Sequence, residues 1–243
     1  MCGIIAVLSN KNVYDFIIHG LKQLQNRGYD SVGLAYIQDK SIVVHKDASD
    51  TTTLALEKVK KKSLYMRYNS IIHMSMAHTR WATNGKKNII NAHPHISYDK
   101  KISIVHNGII ENYNEIKTFL QTNNIECVSE TDSEVIAHLI AYHYDQTKNI
   151  KQGITQALTQ LQGTWALIIM CVDTPNTLYG ITYRMPLLLG YKRDGSMCMF
   201  ASELSAFSES IEHYIIPNNN EIITLDKKIN KVIYTCCNKT TYS

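Results

Sequence analysis

Cys2-Gly3-Ile4-Ile5-Ala6-Val7-Leu8 opens the chain immediately after Met1. From Ile4 to Leu8 the run is continuously apolar and has the length of a strand. A strand without polar alternation is buried on both faces. The chain therefore starts inside a core. Val13, Phe16, Ile17, Gly20, Leu21 and Leu24 follow at helical spacing, and Arg27-Gly28 supplies the stop. Residues 32–37 and 42–45 read as a strand pair joined by the polar turn Gln38-Asp39-Lys40-Ser41. Helical spacing resumes at Leu54, Leu56 and Val59, and residues 71–78 and 102–106 are further strands.

Three helices follow with start or stop signals. Asn112 with Glu115 has the form of an N-cap with its reciprocal acid, and Thr131-Asp132-Ser133-Glu134 that of a capping box. The third helix is expected over 150–161, with Gly163 ending it. Beyond Gly163 the pattern becomes short strands at 165–171, 178–183, 187–191, 197–201, 221–225 and 232–235, interrupted by one short helix near 202–207. Many strands with few intervening helices predict an α+β fold with mainly antiparallel sheets. Two sheets face to face with helices outside, a four-layer αββα sandwich, use these elements economically. No internal repeat or linker divides the chain, so residues 2–243 are expected to form a single domain.

Composition excludes several classes. Apolar residues make up 44% of the 243 residues and charged residues 19%, enough to bury a core and too apolar for global disorder. The net charge of +4 is concentrated nowhere except 58–62, which reads as a solvated helix face. No arginine and aromatic interleaving accompanies it, so no nucleic-acid partner is expected. The six cysteines form no C-x-x-C pair, so neither a metal site nor a redox dithiol is indicated. The apolar start is too short for a signal peptide or a membrane span, and a cytoplasmic, thiol-reduced protein is expected.

Position 2 gives its cysteine a meaning that other cysteines lack. Removal of Met1 leaves Cys2 with a free α-amine. An α-amine titrates at about 7.7–8.0 and a thiol at about 8.5, a close match for proton transfer. One residue then supplies both nucleophile and base. Four polar clusters stand at expected element ends: 26–31, 77–83, 106–108 and 130–134.

Six ordered motifs cover the chain from Cys2 to about Leu225. They are Met1-Cys2-Gly3-Ile4, Arg27-Gly28-Tyr29-Asp30-Ser31, His78-Thr79-Arg80-Trp81-Ala82-Thr83, Asn91-Ala92-His93-Pro94-His95, Val105-His106-Asn107-Gly108-Ile109-Ile110-Glu111-Asn112 and Glu130-Thr131-Asp132-Ser133-Glu134-Val135-Ile136. Together they resemble the glutaminase domain of the glucosamine-6-phosphate synthases, a family of class II, N-terminal-nucleophile glutamine amidotransferases. The resemblance implies Cys2 as nucleophile, Asn107 and Gly108 as the oxyanion hole, and Arg27 beside Cys2. It further implies Arg80 and Thr83 on the α-carboxylate of L-glutamine, Asp132 on its α-ammonium, and Trp81 on a loop covering the substrate. His93 is expected to be structural. No cofactor is implied. The implied partner is a sugar-isomerase synthase domain that accepts ammonia, lies outside this chain, and would carry any homodimer contact. A non-catalytic glutamine-binding or regulatory module of the same fold is the alternative.

The chain departs from the family pattern at three places. Asn84 stands where histidine is usual after Trp-Ala-Thr. The Arg-x-Gly-Ser-Pro-Leu segment reads Thr182-Tyr183-Arg184-Met185-Pro186-Leu187, and Ala-Ser-Asp reads Ala201-Ser202-Glu203. The first bears on loop closure, and the other two bear on coupling to a partner domain more than on Cys2.

Overall fold

A computed structural model describes residues 2–68, 71–82, 85–207, 209, 211–229 and 231–236. Strand β1 (Gly3–Ser9) is buried along its whole length, as its apolar run requires. Its side chains divide by parity. Ile4, Ala6 and Leu8 enter a core between two sheets, whereas Ile5 and Val7 enter a core under helices.

Among the described residues the first sheet joins β1 to β2 (Ser31–Gln38), β3 (Ser41–Ala48), β4 (Met74–Arg80), β9 (Leu188–Tyr191), β10 (Met197–Ala201) and β11 (His213–Ile215). Their order is β11-β9-β10-β1-β4-β2-β3. The second sheet has β5 (His95–Ile96), β6 (Ile102–Ile110), β7 (Gly163–Cys171), β8 (Thr177–Tyr183), β12 (Ile223–Lys227) and β13 (Val232–Cys236), in the order β13-β12-β8-β7-β6-β5. Neighbouring strands within both sheets pair antiparallel.

Helices α1 (Tyr14–Gln23) and α2 (Ala55–Tyr68) cover the outer face of the first sheet. Helices α3 (Tyr113–Thr122), α4 (Glu134–Thr147) and α5 (Ile150–Leu158) cover the second. The αββα sandwich expected from the strand pattern is the observed architecture. The basic run on α2 is paired with acids: Lys58 reaches Asp50 at 2.7 Å, and Lys62 reaches Asp47 at 2.7 Å.

Several local expectations need correction. Neither helix-start signal forms its cap. The Asn112 side chain accepts from the Gln162 N–H at 2.9 Å and donates to the Gln160 carbonyl at 2.8 Å, tying α3 to the turn before β7. Glu134 accepts the backbone N–H groups of Val128 and Ser129, and Thr131 pairs with Ser129 and His95 instead of capping α4. The true side-chain cap is Asn149, which accepts from Lys151 and Gln152 at the start of α5. That helix ends at Leu158, and Gly163 begins β7 instead of terminating a helix. The short helix near 202–207 is a single 3-10 turn, Leu204–Ala206.

Candidate active site

Strand parity brings the functional side chains together. On β4, Met74 and Met76 point into the inter-sheet core, so His78 and Arg80 share that face. On β6, Val105 points into the same core from the opposite sheet, and Asn107 shares its face. Ile4 pairs with His78 and Gly3 with Thr79, which sets Cys2 beside the end of β4. The sandwich is open here, and a cavity of about 330 Å³ is lined by Cys2, Arg80, Trp81, Asn107, Gly108 and Asp132, with His93 and Met185 at its wall. That volume suits a small molecule.

Cys2 is held from several directions. Its carbonyl oxygen accepts from Arg27 Nε at 2.9 Å and from Asn107 Nδ2 at 3.0 Å. The Trp81 N–H donates to its Sγ at 3.4 Å. Burial pushes the thiol pKa up; the Trp81 hydrogen bond and the charges of Arg80 and Arg27 pull the other way without cancelling the rise. Arg27 is steadied by Glu203 at 3.3 Å. Gly28 allows this corner to close, because a Cβ there would lie 2.6 Å from the backbone of Arg80 and Trp81.

Asn107 and Gly108 lie inside β6, opposite Ala166 and Trp165, and not at a strand end. Gly108 has φ +136°, and a Cβ would stand 2.0 Å from the Thr164 carbonyl oxygen. Only glycine fits that backbone. The Asn107 amide orientation follows from its partners. His78 Nε2 is 3.0 Å from Asn107 Oδ1 and 3.1 Å from the His106 carbonyl oxygen. Both are acceptors, so Nε2 carries the ring proton, and the Asn107 NH2 group faces Cys2.

Arg80 is buried and donates to the Lys86 carbonyl at 3.3 Å, which ties it to the loop beyond Trp81. Asp132 Oδ2 accepts from the Ile110 N–H at 2.8 Å. Trp81 is 45% exposed and meets the Tyr29 ring edge-on at 5.6 Å. Two carboxylates anchor this loop: Asp30 accepts from the Ala82 N–H and pairs with Lys87, and Glu130 accepts from the Lys86 N–H. Burial acts to raise the Asp30 pKa, but these donors outweigh it and hold the carboxyl below its ordinary range. Thr83 and Asn84 lie outside the described residues.

Sequence reasoning quoted His78, Asp30 and Glu203 inside motifs without assigning the contacts seen here. For His78 the usable signal was parity, since a polar residue stood where the Met74 and Met76 face continues. Among the described residues one cluster has metal-ligand composition, Cys127, Glu134 and His138, within 4.8 Å of one another and outside the cavity. His138 Nδ1 accepts the Tyr98 N–H at 3.0 Å, so the ring proton sits on Nε2, facing Glu134 at 3.3 Å. Together with the Glu134 contacts already described, the group fastens neighbouring loops to α4. No helix of the described residues is long and apolar enough to cross a membrane.

A glutamine amidotransferase domain model matches residues 78–209, more than half of the chain. The glutamine–fructose-6-phosphate aminotransferase (isomerizing) of Buchnera aphidicola subsp. Baizongia pistaciae is 40% identical over 94% of this chain and 36% of its own length. The corresponding protein of Methanococcus maripaludis is 38% identical over 96% of this chain and 38% of its own. The chain thus spans little more than a third of these relatives. Among solved structures, the B. subtilis glutamine phosphoribosylpyrophosphate amidotransferase complexed with ADP and GMP superposes with a TM-score of 0.77. It is 21% identical and covers 97% of this chain and 49% of that one, a likeness of fold. On the family match, which covers more than half of its length, the chain belongs to the glutamine amidotransferase domain family.

Proposed function

We propose that this chain hydrolyses the side-chain amide of L-glutamine through a thioester on Cys2, and that the ammonia serves a sugar-isomerase synthase domain forming glucosamine 6-phosphate from fructose 6-phosphate. The observation that carries the first part is the convergence of Cys2, Asn107, Arg80 and Asp132 on one cavity. The second part is supported by the names of the full-length relatives.

With Met1 removed, the α-amine of Cys2 takes the thiol proton as sulfur attacks the amide carbon. A base is needed because burial holds the thiol protonated at neutral pH. Arg27 and Asn107 both donate to the Cys2 carbonyl, which fixes the residue's backbone and so the aim of thiol and amine. The Asn107 NH2 and the Gly108 N–H stabilise the oxyanion. The amine passes its proton to nitrogen, the carbon–nitrogen bond breaks, and ammonia leaves. Water then attacks the thioester, returning the thiol and releasing glutamate.

Arg80, with Thr83, holds the substrate carboxylate through a two-point guanidinium contact. Asp132, oriented by the Ile110 N–H, holds the ammonium. Trp81 closes over the bound molecule. A non-catalytic binding module would have no use for two donors fixing the carbonyl of Cys2. The test is glutamate release: the purified chain given glutamine should form glutamate and ammonia, and its Cys2→Ala variant should form neither while still binding glutamine. Glutamate release that survives in the variant would refute the proposal. The 243-residue chain given glutamine and fructose 6-phosphate should form no amino sugar.

A further inference from the structure

The nucleophile and its oxyanion donor sit on different sheets: Cys2 precedes β1 in the first, and Asn107 lies on β6 in the second. Apolar packing sets the distance between sheets but not the rotation of an amide. An asparagine side chain presents oxygen and NH2 at nearly equivalent places. A half-turn would aim a lone pair at the developing oxyanion instead of a proton. Something must select the correct face.

We infer that His78 is the positioning residue that holds the amide there, reaching from β4 across the sheet interface to bind Asn107 Oδ1 and so keep the NH2 group toward Cys2, whose carbonyl oxygen accepts from Nδ2 on the other side. The inference rests on the proposed thioester chemistry for its kinetic consequence, but its structural content stands alone. His78 is 1% exposed and donates its one Nε2 proton into the space between Asn107 Oδ1 and the His106 carbonyl oxygen. With a proton on Nε2 and two acceptors beside it, an inverted Asn107 amide would set NH2 against N–H. Two hydrogens would meet in a buried site. Burial, countered only in part by these hydrogen bonds, lowers the His78 pKa to about 3, so the ring stays neutral and its donor stays single through the working range. Among the described residues Nδ1 has no hydrogen-bond partner, and the ring packs on His93 at 4.1 Å between centroids. The imidazole is thus held by stacking and by its contacts to Asn107 and the His106 carbonyl, and it does not itself line the cavity.

The test compares three variants at His78, one of them also in an Asn107→Ala background. His78→Leu removes the donor. His78→Gln returns an amide N–H at about the reach of Nε2, and His78→Asn carries the same amide one methylene short. Loss of a correctly aimed oxyanion donor costs about 10²–10³ in rate, so kcat should fall at least tenfold in the Leu and Asn variants with KM nearly unchanged. It should recover substantially in the Gln variant. In the Asn107→Ala background His78→Leu should cost little further, because His78 acts only through Asn107. Additive losses, or a Gln variant as slow as Asn, would overturn the inference. A neutron diffraction structure of the Asn or Leu variant locates the amide hydrogens without requiring turnover. An Asn107 NH2 group turned from Cys2, or a side chain rotated away from it, supports the inference, and an NH2 group still facing Cys2 refutes it. Wild-type protein that releases no glutamate would instead sink the proposed function and leave the crystallographic arm to decide the role of His78.

Discussion

Acidification should unfold this protein well before its carboxylates protonate. His78, His93, His95 and His106 are all 5% exposed or less and stand behind the cavity. The rings of His78 and His93 lie 4.1 Å apart, and those of His93 and His95 4.6 Å apart. Burial is the leading cause of a lowered pKa in each: His78 falls to about 3, His93 and His95 fall well below the ordinary value, and His106 is lowered too. An unfolded histidine titrates near 6.5. Above that pH both states are neutral and the groups contribute nothing. Below it the unfolded chain binds protons that the folded chain refuses, so stability falls with pH until the folded pKa is reached. Between about pH 7.5 and about pH 5.5 each of His78, His93 and His95 costs roughly 1.4 kcal/mol, the three together about 4 kcal/mol, and His106 adds to the loss in the same direction. That is a large part of the about 5–15 kcal/mol that holds a typical domain. His45, His73 and His143 shift the same way with less enclosure and add to the loss. Carboxylates titrate near 4 in the unfolded chain, outside this window. Urea unfolding at the two pH values and constant ionic strength measures the difference, and His93→Leu should shrink it by about one group's share, roughly 1.4 kcal/mol. Equal stability at both pH values, within about 1 kcal/mol, would refute the claim that these rings are buried and neutral.

Asn107→Ala should lower kcat by about 10²–10³ with little change in glutamine affinity, since its donor acts on the transition state; steady-state kinetics separates the two. Arg80→Ala should raise KM strongly, because unpairing a buried ionic contact costs roughly 2–5 kcal/mol, and an unchanged KM would remove Arg80 from the carboxylate site. Glu134→Ala should destabilise the fold by about 2–5 kcal/mol by stranding the Val128 and Ser129 N–H groups. The unfolding midpoint reads that loss, and the catalytic residues are untouched.

The layers were legible because burial leaves a parity signature. An apolar run such as Ile4–Leu8 has to be covered on both faces, which requires a second sheet on one side and helices on the other. The hairpin of β2 and β3 was legible for a similar reason: Asp39 and Lys40, at φ 50° and 58°, form the two-residue turn that its polar linker announced. Short edge elements were not. β5 is two residues long and β11 three, too short for a period to be read. The two helix-start signals failed because Asn112 and Glu134 found tertiary partners, Gln160 and Gln162 for one and Val128 and Ser129 for the other. A capping pattern records local capacity, and long-range hydrogen bonds compete for the same atoms. At the site, the motifs placed Cys2, Asn107, Arg80 and Asp132, which do share one cavity. The Asn107–His78 contact depends on how two sheets face each other, and spacing along the chain does not encode it.

The central claim is that Cys2 attacks as the first residue of the mature chain. A diazoketone analogue of glutamine, which loses nitrogen as it forms a carbon–sulfur bond, would trap that residue in a single covalent adduct. Intact mass and peptide mapping of the labelled protein should find Met1 absent and the adduct on Cys2 alone, with excess glutamine protecting it. Label on Cys127, Cys171 or Cys198 with Cys2 unmodified, or full activity from protein that retains Met1, would contradict the account.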